Sequence, residues 1–74
     1  MIEIDAIGLI CPLPVLKLEK ALRRMAPGEV LRITTTDPVA VIDIPHAVAD
    51  QGHALLTTEE TEGTHIWTIR KGAR

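Results

Sequence analysis

The chain holds one thiol, Cys11, and places it in the run Gly-Leu-Ile-Cys-Pro-Leu-Pro at 8–14. A cysteine does chemistry as its thiolate, and the local sequence bears on whether that form is favoured. Leu13 precedes a proline, which disfavours the helical conformation at Leu13. Pro14 then suits the first position of a helix, where its missing N–H costs nothing. Cys11 would lie just ahead of that helix, near the free amides of Val15 and Leu16, where the positive end of the helix dipole favours an anion. Cysteines so placed have pKa values lowered from about 8.5 to roughly 3.5–7.5. The competing reading is a small buried hydrophobe, the common fate of a free cysteine. The residues alone leave both readings open.

If Cys11 reacts, several chemistries are poorly served. No second cysteine is present to resolve a Cys-x-x-Cys exchange. His46, His53 and His65 fall on a helix and on strand-like runs without a triad context, and no ligand spacing suggests zinc. What remains is a covalent sulfur species, whether a persulfide, a thioester or a mixed disulfide, formed with something another protein brings. A carrier role suits a chain too short to hold a deep substrate cavity beside its core.

The elements that must position the thiol follow from periodicity. Ile2, Ile4 and Ala6 alternate with acidic residues and predict a first strand. Gly8 sits in the loop that follows, free to adopt a backbone conformation closed to other residues. Val15, Leu18, Leu22 and Met25 form one helical stripe, and Ala-Pro-Gly-Glu at 26–29 ends it. Glu29 to Thr36 alternates again, with Leu31 and Ile33 as core residues. Asp37-Pro38 and Asp43-Ile44-Pro45 both read as helix starts, predicting a short turn at 38–42 and a helix from Ile44 to Gln51. Runs at 53–60 and 64–71 read as two more strands joined by a turn at Thr61-Glu62-Gly63.

The order is therefore βαβαββ, an α/β (α+β) two-layer sandwich with a four-stranded mixed sheet and two helices on one face. A right-handed crossover makes the first two strands parallel. The loops after them then open at the same end, bringing Asp37 near Cys11. Asp37 has two roles there, capping the second helical segment and setting a negative charge that opposes a thiolate. The face away from the helices is expected to carry threonines with Arg32 and Arg70. On the first helix, Lys17, Lys20 and Arg24 share a face with Leu16. That face is either simply solvated or a docking surface beside Cys11, with Leu16 as anchor and the cations steering an acidic partner.

Bulk properties narrow the classes. The 74 residues are expected to form one domain with an aliphatic core, since Trp67 is the only aromatic residue. A net charge of −2 and a single stacking ring argue against nucleic-acid binding. The N-terminus has no basic leader followed by an apolar run, no stretch reaches membrane-spanning length, and one cysteine forms no internal disulfide. A cytoplasmic monomer without membrane contact is the expectation. The alternative to a carrier is a non-catalytic interaction or regulatory module that docks through the first helix or the open sheet face.

Cys-Pro-x-Pro at Cys11, Pro12, Leu13 and Pro14, with Gly8, Pro-Gly-Glu at 27–29, Asp-Pro at 37–38 and Thr-Ile-Arg-Lys-Gly near the end, resembles the TusA/SirA/YedF family of small sulfur-carrier proteins. The resemblance spans about residues 5 to 72 and implies the same βαβαββ fold. It implies a sulfurtransferase in which Cys11 accepts sulfane sulfur as a persulfide and relays it onward. Gly8, Pro12, Pro14 and Asp37 would shape the site, and the donor would be a cysteine desulfurase or a rhodanese-like protein. The acceptor would serve tRNA thiolation, sulfur oxidation, molybdenum-cofactor maturation or another route, with no metal or organic cofactor. The thiouridine branch carries charged residues where this chain has Ile10 and Leu13, so these two positions are expected to select the partner.

Overall fold

The computed structural model describes residues 1–73. Its elements are β1 (Ile2–Ala6), α1 (Leu13–Arg23), β2 (Val30–Thr35), α2 (Ala40–Asp50), β3 (Ala54–Thr61) and β4 (Thr64–Arg70). The sheet order is β1-β2-β4-β3, with β1 and β2 parallel and the other pairs antiparallel. This is the expected mixed sheet with both helices on one face.

The register sorts the residues as alternation requires. Ile4 opposes Ile33, and Ile33 opposes Trp67, so one face of three strands meets the helices. Leu31, Ile33, Trp67 and Ile69 are buried there with Leu18 and Leu22 of α1 and Ala40, Ile44 and Val48 of α2. The lone aromatic residue is thus inside the aliphatic core, and its ring N–H donates to Thr35 Oγ1 at 2.9 Å. A buried indole N–H left without a partner would cost free energy, so Thr35 is the polar residue that this core needs. On the open face Arg32 lies opposite Thr68 and forms an ion pair with Glu3 at 2.6 Å, while Arg70 is exposed at the strand end.

Three boundaries differ from the sequence expectation. Helix α1 opens at Leu13, with Pro12 in the cap position and Pro14 second, because the Leu13 N–H closes a turn on the Ile10 carbonyl at 2.9 Å. That local bond outweighs the steric bias against a helical residue before proline. Helix α2 is continuous from Ala40 through Pro45, not a turn followed by a separate helix. Its start is tight, with the Ala40, Val41 and Ile42 amides bonded three residues back. Pro45 denies a partner only to the Val41 carbonyl, at an exposed position where water can serve, and burial of Ile44 and Val48 on either side holds the helix together. The β3–β4 turn is the two-residue Glu62-Gly63, with Thr61 paired to Thr64. Both turn residues have positive φ, +49° and +82°, the twist that two-residue hairpins favour.

Candidate functional site

Cys11 lies at the end of the sheet where the parallel strands β1 and β2 finish. The two loops leaving those strands are stitched together by side chains. The Gly8 N–H donates to Thr36 Oγ1 at 2.9 Å, and the Cys11 N–H donates to Asp37 Oδ2 at 2.7 Å. Gly8 has φ +81°, so a residue with a Cβ would be strained where the chain turns toward Cys11. The other oxygen of Asp37 accepts the Val39 N–H at 3.3 Å, and its carbonyl accepts the Ala40 N–H at 3.0 Å. Asp37 therefore sits against Cys11 as expected but does not cap α2, which opens after Val39 with no side-chain cap; Asp37 closes the turn ahead of it.

The side chain of Cys11 is exposed and free of disulfide. Its thiol donates to Asp43 Oδ2 at 3.0 Å. Asp43 is the residue that sequence reasoning missed. Its pairing with Pro45 looks like a helix start, which gives the carboxylate a local role and hides a contact spanning 32 residues. The usable signal was the recurrence of Asp six positions after Asp37, near the first turn of a helix that begins beside the thiol.

This partner reverses the expected tendency of the thiol. The Cys11 pKa is pushed up, first by the hydrogen bond to Asp43, then by desolvation, and further by the charges of Asp43 and Asp37. Of the two amides expected to face the sulfur, that of Leu16 is already spent on the Pro12 carbonyl at 3.1 Å; the Leu13 amide is spent on Ile10, and Pro14 has no N–H. The sulfur is held by a carboxylate that favours its protonated form.

The remaining sequence candidates divide into two groups. Pro12 flanks the thiol, and Pro14 is buried beneath the first turn of α1. Ile10, Leu13 and Leu16 are exposed at 68%, 47% and 52%, and the structure adds Ile7, Val39 and Ile42 to the exposed aliphatic residues of this end. The cations lie further along α1. Lys17 donates to the Asp5 carbonyl at 2.6 Å, and Lys20 and Arg24 line a shallow groove with Ile4 and Ala21. No histidine bonds the sulfur among the described residues; His46 lines the groove between the helices together with Asp43.

A family model described as sulfurtransferase TusA matches residues 2–71. This chain belongs to the TusA family of sulfur carriers. The sulfur carrier protein TusA of Pseudomonas entomophila (strain L48) is 46% identical over 70 residues, covering 95% of this chain and 88% of the relative. That of Pseudomonas syringae pv. syringae (strain B728a) is 41% identical over 69 residues, covering 93% and 82%. The crystal structure of a SirA-like protein from Desulfitobacterium hafniense superposes with a TM-score of 0.85 at 29% identity, covering 97% of this chain and 99% of that one. The chain is accordingly a sulfur carrier of the TusA type, with a role in sulfur transfer that calls for donor and acceptor proteins. Among the described residues no helix is long and apolar enough to cross a membrane.

Proposed function

We propose that Cys11 is the carrier thiol, taking sulfane sulfur from a donor protein as a persulfide and yielding it to an acceptor. One observation carries the reading: in a chain of a sulfur-carrier family, the single cysteine is exposed at the meeting of two loops and the two helix starts, open to another protein's sulfur. Uptake is thiol–persulfide exchange, in which the Cys11 sulfur attacks the terminal sulfur of the donor and the donor thiolate leaves. Gly8, Pro12, Pro14 and Asp37 shape the approach by fixing where the loop ends and the helix begins.

The surface that receives the partner is the apolar rim of Ile10, Leu13 and Leu16, with Lys20 and Arg24 steering from the side. Single exposed aliphatic residues are ordinary, but a group at one end of so small a chain fits an interaction site. The donor is a cysteine desulfurase or a rhodanese-like protein, the setting is cytoplasmic, and the acceptor belongs to a route such as tRNA thiolation. The test is incubation with a cysteine desulfurase and cysteine, followed by intact mass measurement. Wild type is expected to gain one sulfur atom that a reductant removes, and Cys11→Ser is expected to gain none. Equal uptake by Cys11→Ser, or an unmodified wild type across several donors, rules the proposal out.

A further inference from the structure

An ionised carboxylate accepts hydrogen bonds only, so in the Cys11–Asp43 pair the thiol is the donor and its proton already points at Oδ2. Both ends of this contact hang on one residue. Asp37 holds the Cys11 backbone through Oδ2, and through Oδ1 and its carbonyl it holds Val39 and Ala40 at the start of the helix that carries Asp43. The 3.0 Å separation is thus set by the fold, and Asp43 itself is half-buried and not a freely waving surface group.

We propose that Asp43 is the proton acceptor of sulfur loading, and that between loadings the same contact keeps Cys11 protonated. The proposal rests on Cys11 being the carrier thiol. In loading, the Cys11 S–H proton passes to Asp43 as the sulfur lone pair attacks the terminal sulfur of a protonated donor persulfide. The donor S–S bond breaks, its electron pair leaves on the donor cysteine as a thiolate, and Cys11–S–SH and a neutral Asp43 carboxyl remain. Once the donor leaves, that proton passes to solvent; in discharge the acceptor thiolate takes the terminal sulfur, and the departing Cys11 thiolate takes up one proton to restore the thiol. No oxidant or reductant enters either step. A docked partner excludes water from the sulfur, so an acceptor built into the site is needed where bulk solvent cannot serve. In the free protein the same hydrogen bond suppresses the thiolate, which is the form that small electrophiles attack.

The charges acting on the sulfur are those of Asp43 on α2 and Asp37 on the loop before it. Further along the groove lie Glu19 of α1 and His46 and Asp50 of α2, while the Lys17 ammonium is engaged at the Asp5 carbonyl.

The test is Asp43→Asn, read in two assays expected to move in opposite directions. In single-turnover transfer from a persulfide-loaded cysteine desulfurase, the limiting rate at saturating donor falls about tenfold or more, with the half-saturating concentration unchanged. Alkylation of the free protein by iodoacetamide at neutral pH speeds up several-fold, and the midpoint of its pH profile moves down. Asp43→Glu restores part of the limiting rate and carries the test should the Asn variant melt early. An unchanged limiting rate overturns the proposal, as does a change confined to half-saturation, which marks a docking contact. A fall in both assays overturns it too, because a merely disordered site slows everything. Failure of the carrier reading is a different result: wild type then takes up no sulfur, and this proposal falls with it.

Discussion

The two ends of the sheet are closed by different kinds of bond. At the end opposite Cys11 the main chain does most of the work. The Gly28 N–H donates to the Lys71 carbonyl at 2.9 Å, and the Lys71 N–H donates to the Glu29 carbonyl at 2.8 Å. The Gly72 N–H donates to His53 Nδ1 at 2.9 Å, and the Lys71 ammonium caps the Leu22 carbonyl at the end of α1. The thiol end depends instead on Thr36, Asp37 and Asp43 side chains reaching across to Gly8 and Cys11. Both ends leave aliphatic residues in the open, Ile10, Leu13 and Leu16 beside the thiol and Ile2, Leu55 and Leu56 at the far end. The main-chain bonds of the far end hold regardless of pH, unlike the His53 contact beside them. A side-chain latch sets charge, and charge is what a sulfur-transfer site must control.

The largest stability effect that separates the two ends is expected from Gly72→Ala. A Cβ there would lie 2.0 Å from the Gly52 carbonyl oxygen, backbone against backbone, with no flexible group to yield. Forcing it in costs about 1–3 kcal/mol, a cost of the size seen for overpacking. Thermal melting should fall by several degrees, roughly 4–8 °C per kcal/mol for a small domain. Sulfur uptake by the surviving folded protein should be unchanged, and slowed uptake would show the ends to be coupled.

Asp37→Asn acts on the other end with a smaller effect. It can keep an acceptor for the Cys11 N–H but then turns an amide NH2 toward the Val39 N–H and loses the charge, a loss of about 1 kcal/mol. Amide exchange at Cys11 and Val39 should speed up while Gly28 and Lys71 keep their protection. Equal loss of protection at both ends would refute the division.

The smallest effect belongs to pH. Burial and then the Lys71 charge push His53 below its ordinary value of 6.5. As pH falls, the unfolded chain binds the His53 proton before the folded chain does, so this contribution to stability is complete above 6.5. It is lost as pH drops through the depressed folded value. Protonation also removes the acceptor for the Gly72 N–H. As pH falls below 6.5 the Gly72 amide should lose protection relative to its intrinsic exchange, and His53→Gln should flatten that dependence.

Legibility in the sequence followed the range of the interaction. β2 and the Leu18–Leu22 stripe were readable because alternation and helical spacing are local records of burial. Gly8, Cys11 and Asp37 were readable as neighbours because a parallel βαβ unit has one handedness, which fixes where its loops emerge. The continuity of α2 was hidden because Pro45 is a local helix-breaking signal, overridden by the burial of Ile44 and Val48 contributed from the sheet. Asp43 was hidden by the same misreading, since a residue assigned to a cap is not looked for at a thiol. The upward push on Cys11 follows from that missed contact more than from the helix start, which was legible.

Thr35 is the first of three consecutive residues that each commit a side chain to a different part of the molecule. Thr35 accepts from the Trp67 ring, Thr36 from Gly8, and Asp37 from Cys11. The sole indole is therefore wired, through two residues of backbone, to the loop that carries the thiol. With Trp67 only 2% exposed and no tyrosine in the chain, emission excited in the near ultraviolet comes from one buried ring, hydrogen-bonded to Thr35 and stacked on His65. The protein carries its own optical label, placed to register strain in the Thr36–Asp37 segment without any added dye.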